Sequence, residues 1–208
     1  MIDDSGSMRG SPIAQVREHC SKFGEKFFEE NGKKITLITF GEAAKKFTYH
    51  KEHDFQKHIN SLVGSAPGAD TNFAPPLREL TNTIVGEGIK ELLVVFLTDG
   101  LNADNPQTLV ASRELENVLD GLLSKFNVIG FGSQFNVQIL ESLVKSGSQP
   151  GVISSNVDEA FSKILEKFEA TPTAKFKIPG QATIDVPMTD SNYSSVTFET
   201  SVILDLND

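Results

Sequence analysis

The decapeptide Glu91-Leu92-Leu93-Val94-Val95-Phe96-Leu97-Thr98-Asp99-Gly100 decides the fold of this chain. Residues 92–97 are all apolar, which is typical of a strand that is buried on both faces of a parallel sheet. The run stops at a Thr-Asp-Gly sequence, which favours a turn. We therefore predict a buried strand with Asp99 immediately beyond its carboxyl end.

Shorter apolar segments alternate with helical patterns on either side of this strand. The first helix is expected to begin at Ser11, which would be its N-cap before Pro12. Further helices are expected to begin near residues 55, 75, 105, 137 and 156. The helix that begins near residue 105 is expected to extend to Leu123. Other strands are predicted at residues 34–40, 46–50, 126–131 and 151–154, with 46–50 at an edge. This alternation predicts an α/β fold, a doubly wound and mainly parallel sheet with helices on both faces.

Oxygen-bearing side chains occur where the predicted strands end, and ligands bind at that edge of such sheets. An Asp-x-Ser-x-Ser motif follows Met1 and Ile2, a Gly-Ala-Asp-Thr-Asn-Phe segment spans residues 68–73, and Thr-Asp-Gly ends the buried strand. Together these segments supply the candidate metal ligands Asp3, Ser5, Ser7, Thr71 and Asp99.

The candidate ligands are two carboxylates and three hydroxyls, which are hard oxygen donors suited to Mg²⁺. Mn²⁺ and Ca²⁺ are the alternatives. Because the three hydroxyls are neutral, the ion would remain under-neutralised and would attract a further carboxylate from outside. This chemistry indicates binding rather than a reaction.

The three segments resemble the metal-ion-dependent adhesion site of the von Willebrand factor type A family, over roughly residues 1–168. The resemblance implies a Rossmann-like fold and a protein-binding domain that is not an enzyme. It implies that Ser5, Ser7 and Thr71 ligate the metal through their hydroxyls, and that Asp3 and Asp99 hold it directly or through waters. A protein partner would supply an Asp or Glu to complete the coordination sphere.

The sequence departs from the family pattern at two places. Only Met1 and Ile2 precede Asp3, where the family has an apolar strand, so we expect a largely truncated first strand. The resemblance places that strand between those that begin near Lys34 and Glu91. Asp70 occupies a position where the family often has Gly, which adds a third carboxylate near the site.

Composition excludes several classes of function. The net charge of −9 argues against nucleic acid as a partner. No apolar run approaches the ~20 residues needed to span a membrane. The single cysteine, Cys20, cannot form an internal disulfide and lies on the apolar face of a predicted helix. No signal peptide is visible, which favours a cytoplasmic location.

Two other functions stay open from the residues alone. The chain could be an accessory domain of a larger multidomain enzyme or complex. A hydrolase using Asp3 or Asp4 is the rival from another class, although an Asp-nucleophile phosphatase would want a second carboxylate where Ser5 stands. A zinc site at His50, His53 and His58 is conceivable, but their spacing does not place all three on one helical face.

The pattern changes after Glu169. Thr171-Pro172-Thr173 is typical of a linker, so we predict a main domain over residues 1–170 and a β-rich extension, or the start of a second domain, over 171–208. Within the extension, even spacing of apolar residues predicts a strand between Val196 and Leu206, and 183–186 is a shorter candidate.

Overall fold

A computed structural model describes residues 1–30, 32–65, 71–100, 106–131, 138–149, 151–169, 173–177 and 183–187. The strands are β1 Ile2–Asp3, β2 Ile35–Phe40, β3 Ala44–Tyr49, β4 Glu91–Thr98, β5 Leu123–Gly130, β6 Ile153–Ser154, β7 Thr173–Lys177 and β8 Thr183–Pro187. The helices are α1 Ser11–Glu29, α2 Glu52–Ser61, α3 Ala74–Glu87, α4 Pro106–Leu119, α5 Gln138–Ser146 and α6 Val157–Glu169. A short 3-10 helix, Gly6–Met8, follows β1.

Six strands form a mainly parallel sheet in the order β3-β2-β1-β4-β5-β6. β3 is the antiparallel member and lies at one edge, as its sequence predicted. β4 pairs along its whole length with β5, from Glu91 opposite Leu123 to Thr98 opposite Gly130. The predicted α/β class and mainly parallel sheet are therefore confirmed, with the apolar decapeptide near the middle of the sheet.

β1 lies between β2 and β4, the place that was expected for the first strand. Its Ile2 is opposite Thr39 on one side and Leu97 on the other. Because β1 is only two residues long, residues 35–38 of β2 and 91–95 of β4 have no strand opposite them on that side, in the part of the chain that the structure describes.

The core covers both faces of the sheet. On one face, Phe40, Phe96 and Phe126 pack with residues of α3, α4 and α5, and Phe73 makes edge-on contacts with Phe40 and Phe96 at ring separations of 5.9 and 5.2 Å. On the other face, α1 buries its apolar side, including Cys20. His19 of α1 stacks on Phe161 of α6 at 5.1 Å.

Several element boundaries differ from the sequence prediction by a few residues, and two of these differences have a clear physical reason. Gly10, with φ of 84°, is the N-cap of α1, and Ser11 is already helical. Glycine adopts this left-handed backbone without the strain that a Cβ would add. The helix α4 ends at Leu119 rather than reaching Leu123, since Leu123 begins the parallel pairing of β5 with β4.

Contacts divide the chain into two compact units, Met1–Glu166 and Lys167–Asp208. In the second unit, β7 and β8 pair as antiparallel strands, with Thr173 opposite Pro187. The predicted strand between Val196 and Leu206 lies outside the described residues. Across the described residues, no helix is both long and apolar enough to cross a membrane.

Candidate metal centre

The carboxyl ends of β1 and β4 bring two candidate ligands to one edge of the sheet. Asp3 is the last residue of β1, and Asp99 follows the last residue of β4. The two strands are parallel neighbours, so both carboxylates leave the sheet at the same end. Both residues are buried, with Asp3 fully so.

Hydrogen bonds fix both oxygens of the Asp3 carboxylate. Oδ1 accepts the backbone N–H of Ser5 at 2.9 Å, and Oδ2 accepts the hydroxyl of Thr98 at 2.6 Å. The same Thr98 hydroxyl accepts the backbone N–H of Gly100 at 3.0 Å. Thr98 therefore ties the carboxylate that ends β1 to the turn carrying Asp99, a role that the sequence analysis did not assign to it.

The two serine hydroxyls of the first motif are adjacent. Ser5 Oγ and Ser7 Oγ are 3.0 Å apart, within hydrogen-bond distance. Ser5 is the N-cap of the 3-10 helix Gly6–Met8 and Ser7 lies within it, so one short turn carries both hydroxyls. Ser5 is fully buried and Ser7 is exposed, so this pair of hydroxyls extends from the interior to the surface.

Thr71 lies at the same edge of the sheet. Its neighbour Asn72 donates its backbone N–H to Gly41 O at 3.0 Å, and Gly41 follows Phe40, which pairs with Asp3. Thr71 is buried. Residues 68–70 of its predicted motif, including Asp70, lie outside the described residues.

The electrostatic environment of Asp3 favours the arrival of a cation. The pKa of Asp3 is raised from 3.8 to about 6, chiefly by burial and to a smaller degree by the nearby charge of Asp99, while hydrogen bonds from Thr98 and Ser5 act in the opposite direction. No cationic side chain is among the groups that act on this carboxylate within the described residues. A divalent ion between the carboxylates would offset both the burial and the repulsion.

The donor set fits Mg²⁺ in its chemistry, since every candidate is a hard oxygen donor. Over the described ranges, no three His, Cys, Asp or Glu side chains converge as a metal-binding cluster, so the predicted centre depends on hydroxyls for most of its ligands. His50, His53 and His58 likewise form no metal-binding cluster within the described residues. His58 contacts Tyr49 through Nδ1, and His50 Nδ1 lies 3.2 Å from Lys33 O.

The chain as a whole is similar to known proteins. The family model described as the von Willebrand factor type A domain matches residues 1–172. A search of curated proteins found no match. Among solved structures, the chain is similar to the BatB protein of Bacteroides thetaiotaomicron, with 16% sequence identity, a TM-score of 0.62, and coverage of 81% of this chain and 94% of that chain.

Two further solved structures are similar over much of this chain. One is proximal thread matrix protein 1 of the mussel byssus, at 21% identity and TM-score 0.58, covering 80% of this chain and 43% of that chain. The other is a von Willebrand factor type A protein of Catenulispora acidiphila, at 14% identity and TM-score 0.61, covering 84% and 42%. The chain thus spans less than half the length of these two proteins, and at such identities the similarity shows the fold alone.

Proposed function

We propose that this chain, which belongs to the von Willebrand factor type A domain family, binds a protein partner through a divalent metal held at the carboxyl edge of its sheet. The family is one of protein-interaction and adhesion modules. The proposed ligands are Asp3, Ser5, Ser7, Thr71 and Asp99, and the proposed ion is Mg²⁺, with Mn²⁺ and Ca²⁺ as alternatives.

The observation that carries the proposal is the buried pair of carboxylates at the ends of β1 and β4. Burying an ionised carboxylate is expensive unless a positive charge or hydrogen bonds compensate it. Asp3 has hydrogen bonds from Ser5 and Thr98, yet burial and the charge of Asp99 still raise its pKa. A bound divalent cation would remove this conflict and would explain why the two carboxylates are placed together.

The hydroxyls determine what kind of binding the ion could support. Ser5, Ser7 and Thr71 would contribute oxygen atoms without charge, so Asp3 and Asp99 would be the ion's only anionic ligands in the proposed set. An ion with neutral ligands on its exposed side keeps affinity for another anionic oxygen. The exposed Ser7 marks the side from which a partner Asp or Glu would approach.

Metal binding is tested by thermal melts with Mg²⁺ or Mn²⁺ and with EDTA. At ~100 times its dissociation constant a bound ion contributes about 2.7 kcal/mol, which corresponds to about 5–10 °C for a chain of this size. Asp99→Ala should abolish this shift while leaving a cooperative melt in EDTA. Asp120→Ala, which removes an exposed carboxylate between α4 and β5, is the matched control and should keep the full shift.

An unchanged metal response in Asp99→Ala would show that the ion binds elsewhere.

The proposal that a protein partner binds through the ion needs a separate test. Binding of any protein partner through this site should disappear in EDTA and should fall sharply when one Asp or Glu of the partner is replaced. A partner that binds equally well in EDTA would use another surface.

A further inference from the structure

Arg9 is an exposed cation on the loop after β1, which also carries the proposed serine ligands. It directly follows the 3-10 helix Gly6–Met8, and its backbone N–H donates to Gly6 O at 3.4 Å, so its main chain belongs to the same turn as Ser7. Ser7 and Arg9 are both exposed. Because they are two positions apart, their Cα atoms are separated by no more than about 7 Å.

The guanidinium of Arg9 is available to a group from outside the chain. Within the described residues, no hydrogen bond or ion pair engages this side chain. Arg17, the next arginine along the chain, differs in this respect, since its Nε–H donates to Leu62 O at 2.5 Å. Arg17 therefore stabilises the fold, whereas the charge of Arg9 serves no contact in the described part of the chain.

The stem of the Arg9 side chain packs on Gly64. Gly64 is buried, and a Cβ at this position would lie 2.9 Å from Arg9 Cγ and 3.3 Å from Arg9 N. Its φ of 73° is left-handed, a conformation that glycine adopts without strain. Because the stem is in contact as far as Cγ, ordering the guanidinium around a ligand should cost less conformational entropy than ordering a side chain that is free along its whole length.

The segment Leu62–Ser65, which contains this glycine, is itself bonded to the loop after β1. Ser65 donates its N–H to Asp4 O at 2.8 Å, and the bond from Arg17 joins the other end of the segment to α1. These contacts fix the surface on which the Arg9 stem lies. The base of the Arg9 side chain therefore has a defined position beside the proposed serine ligands.

Charge indicates what the guanidinium would bind. The chain has a net charge of −9, which opposes the approach of an acidic partner. A bound metal ion and Arg9 would be neighbouring positive groups on the exposed side of the loop after β1. A guanidinium binds a carboxylate through two parallel N–H donors, a geometry that gives both strength and specificity.

We infer that Arg9 is a specificity-determining residue of the partner site: it binds a second carboxylate of the partner, beside the one that would complete the coordination of the metal. The inference rests on the proposed metal-dependent function. In an extended peptide, residues two apart present their side chains on the same side at a spacing of about 7 Å. This spacing is close to the largest separation between Ser7 and Arg9, so the partner chemistry is an extended segment with acidic residues two positions apart.

The test uses three capped peptides: Gly-Asp-Gly-Asp-Gly and the two versions in which one Asp is replaced by Asn. Each is titrated into the isotope-labelled full chain in saturating Mg²⁺, and its dissociation constant is measured by NMR. Every peptide keeps one carboxylate for the metal, so the second Asp adds only the statistical factor of two equivalent groups unless another residue binds it. We expect the two-Asp peptide to bind at least about fivefold more tightly than either one-Asp peptide, as for a well-formed exposed ion pair.

Variants of Arg9 identify the group that binds the second carboxylate. Arg9→Gln keeps much of the stem and removes the charge, so it should reduce the preference for the two-Asp peptide to the statistical factor. Arg9→Glu reverses the charge and should make the two-Asp peptide the weaker ligand. Arg113→Gln removes an exposed arginine of α4 and is the matched control, which should keep the full preference. Neither glutamine variant should weaken Mn²⁺ binding, measured by electron paramagnetic resonance, because neither arginine is a proposed metal ligand.

The outcomes separate the two proposals. If no peptide binds more tightly in Mg²⁺ than in EDTA, the proposed function is rejected, and the inference about Arg9 is rejected with it. If the one-Asp peptides need Mg²⁺ but the second Asp adds no more than the statistical factor, the proposed function stands and the role of Arg9 is wrong. That role is also wrong if Arg9→Gln keeps the full preference, because another group would then bind the second carboxylate.

Discussion

At the scale of single residues, the environment of Asp3 is the most consequential feature of the molecule. Its two oxygens are held by Ser5 and Thr98, and it is fully buried next to Asp99. A carboxylate in such a place is oriented before any ligand arrives, so little reorganisation is needed when one binds. The same burial makes the ionised form unfavourable in the absence of metal.

Asp3 predicts a specific pH dependence of stability in EDTA. Burial raises its pKa from 3.8 to about 6, so between these values the native chain holds a proton that the unfolded chain has released. Below the pKa of Asp3 in the unfolded chain, Asp3 is protonated in both states and its burial costs no charge desolvation. The free energy of unfolding then falls as the pH rises from that value through about 6. The loss is about 3 kcal/mol by pH 7, from 1.36 kcal/mol for each pKa unit.

Comparison with Asp3→Asn isolates this effect, because carboxylates distant from Asp3 titrate alike in both chains. Urea unfolding of each chain in EDTA across pH 4 to 7 should show the original chain losing stability relative to Asp3→Asn as the pH rises. Parallel pH profiles for the two chains would mean that Asp3 ionises at its ordinary pKa. Saturating Mg²⁺ should reduce the difference, since the ion stabilises the charged carboxylate.

At the scale of elements, β1 is the strand that positions Asp3 at the candidate site. β1 and β6, with two residues each, are the shortest strands of the sheet. Two residues suffice to bring Asp3 beside the end of β4, but they leave residues 35–38 and 91–95 without a strand opposite them in the described part of the chain. The residue Leu93, in a strand at the middle of the sheet, is 38% exposed. The terminal amine of Met1 lies between these edges and donates to Val95 O at 2.6 Å.

These open edges predict that an apolar strand supplied in front of Ile2 would stabilise the chain. About six added residues such as Val and Ile would pair with β2 and β4 and cover Leu93. They would also replace a buried amine, whose pKa burial lowers to about 6, by an uncharged peptide N–H. The melting temperature should rise by about 2–4 °C for each kcal/mol gained.

An extension of equal length made of Gly, Ser and Asp is the matched control for this experiment. It can add backbone but has no apolar side chains to bury, so it should give a smaller gain. If the apolar extension is no more stable than the present chain, another segment already satisfies these edges. The predicted strand between Val196 and Leu206 would then be the first to examine.

At the scale of the whole molecule, the site and the core belong to the same compact unit. The buried cluster around Phe40, Phe96 and Phe126 and all of the proposed metal ligands fall within Met1–Glu166. Lys167–Asp208 forms a unit of its own, with β7 and β8 paired to each other. The stability of the metal centre should therefore depend on the first unit.

Shortening the chain to residues 1–170 tests this expectation and the predicted domain boundary together. Because the core cluster remains complete, the shortened chain should melt cooperatively, within about 3 °C of the full chain, which is about 1 kcal/mol. Its Mg²⁺-dependent shift should be unchanged. A chain that loses its cooperative transition, as judged by calorimetry, would show that residues 171–208 contribute to the fold of the first unit.

The sequence by itself determined the class of fold and the chemistry of the candidate ligands. The apolar run 92–97 indicated a buried strand, and its order among helical patterns implied a parallel sheet. The structure confirms the parallel sheet, whereas burial of β4 is complete only at Val94 and Phe96–Thr98. Local patterns of this kind are informative because the order of apolar and polar residues along a segment reflects which of them are buried. Even so, Leu123 was assigned to the preceding helix, since an apolar residue fits either pattern and only pairing with β4 decides between them.

Only the tertiary structure decided how the site is organised. Thr98 bonds Asp3 across 95 positions of sequence, and the carbonyl of Asp4 accepts the N–H of Ser65 from a different part of the chain. Neither contact can be predicted from a local sequence pattern, because each joins residues that are far apart in sequence and that only the folded chain brings together. The raised pKa of Asp3 likewise comes from burial between neighbouring strands, a property of the folded sheet that no motif of a few residues contains.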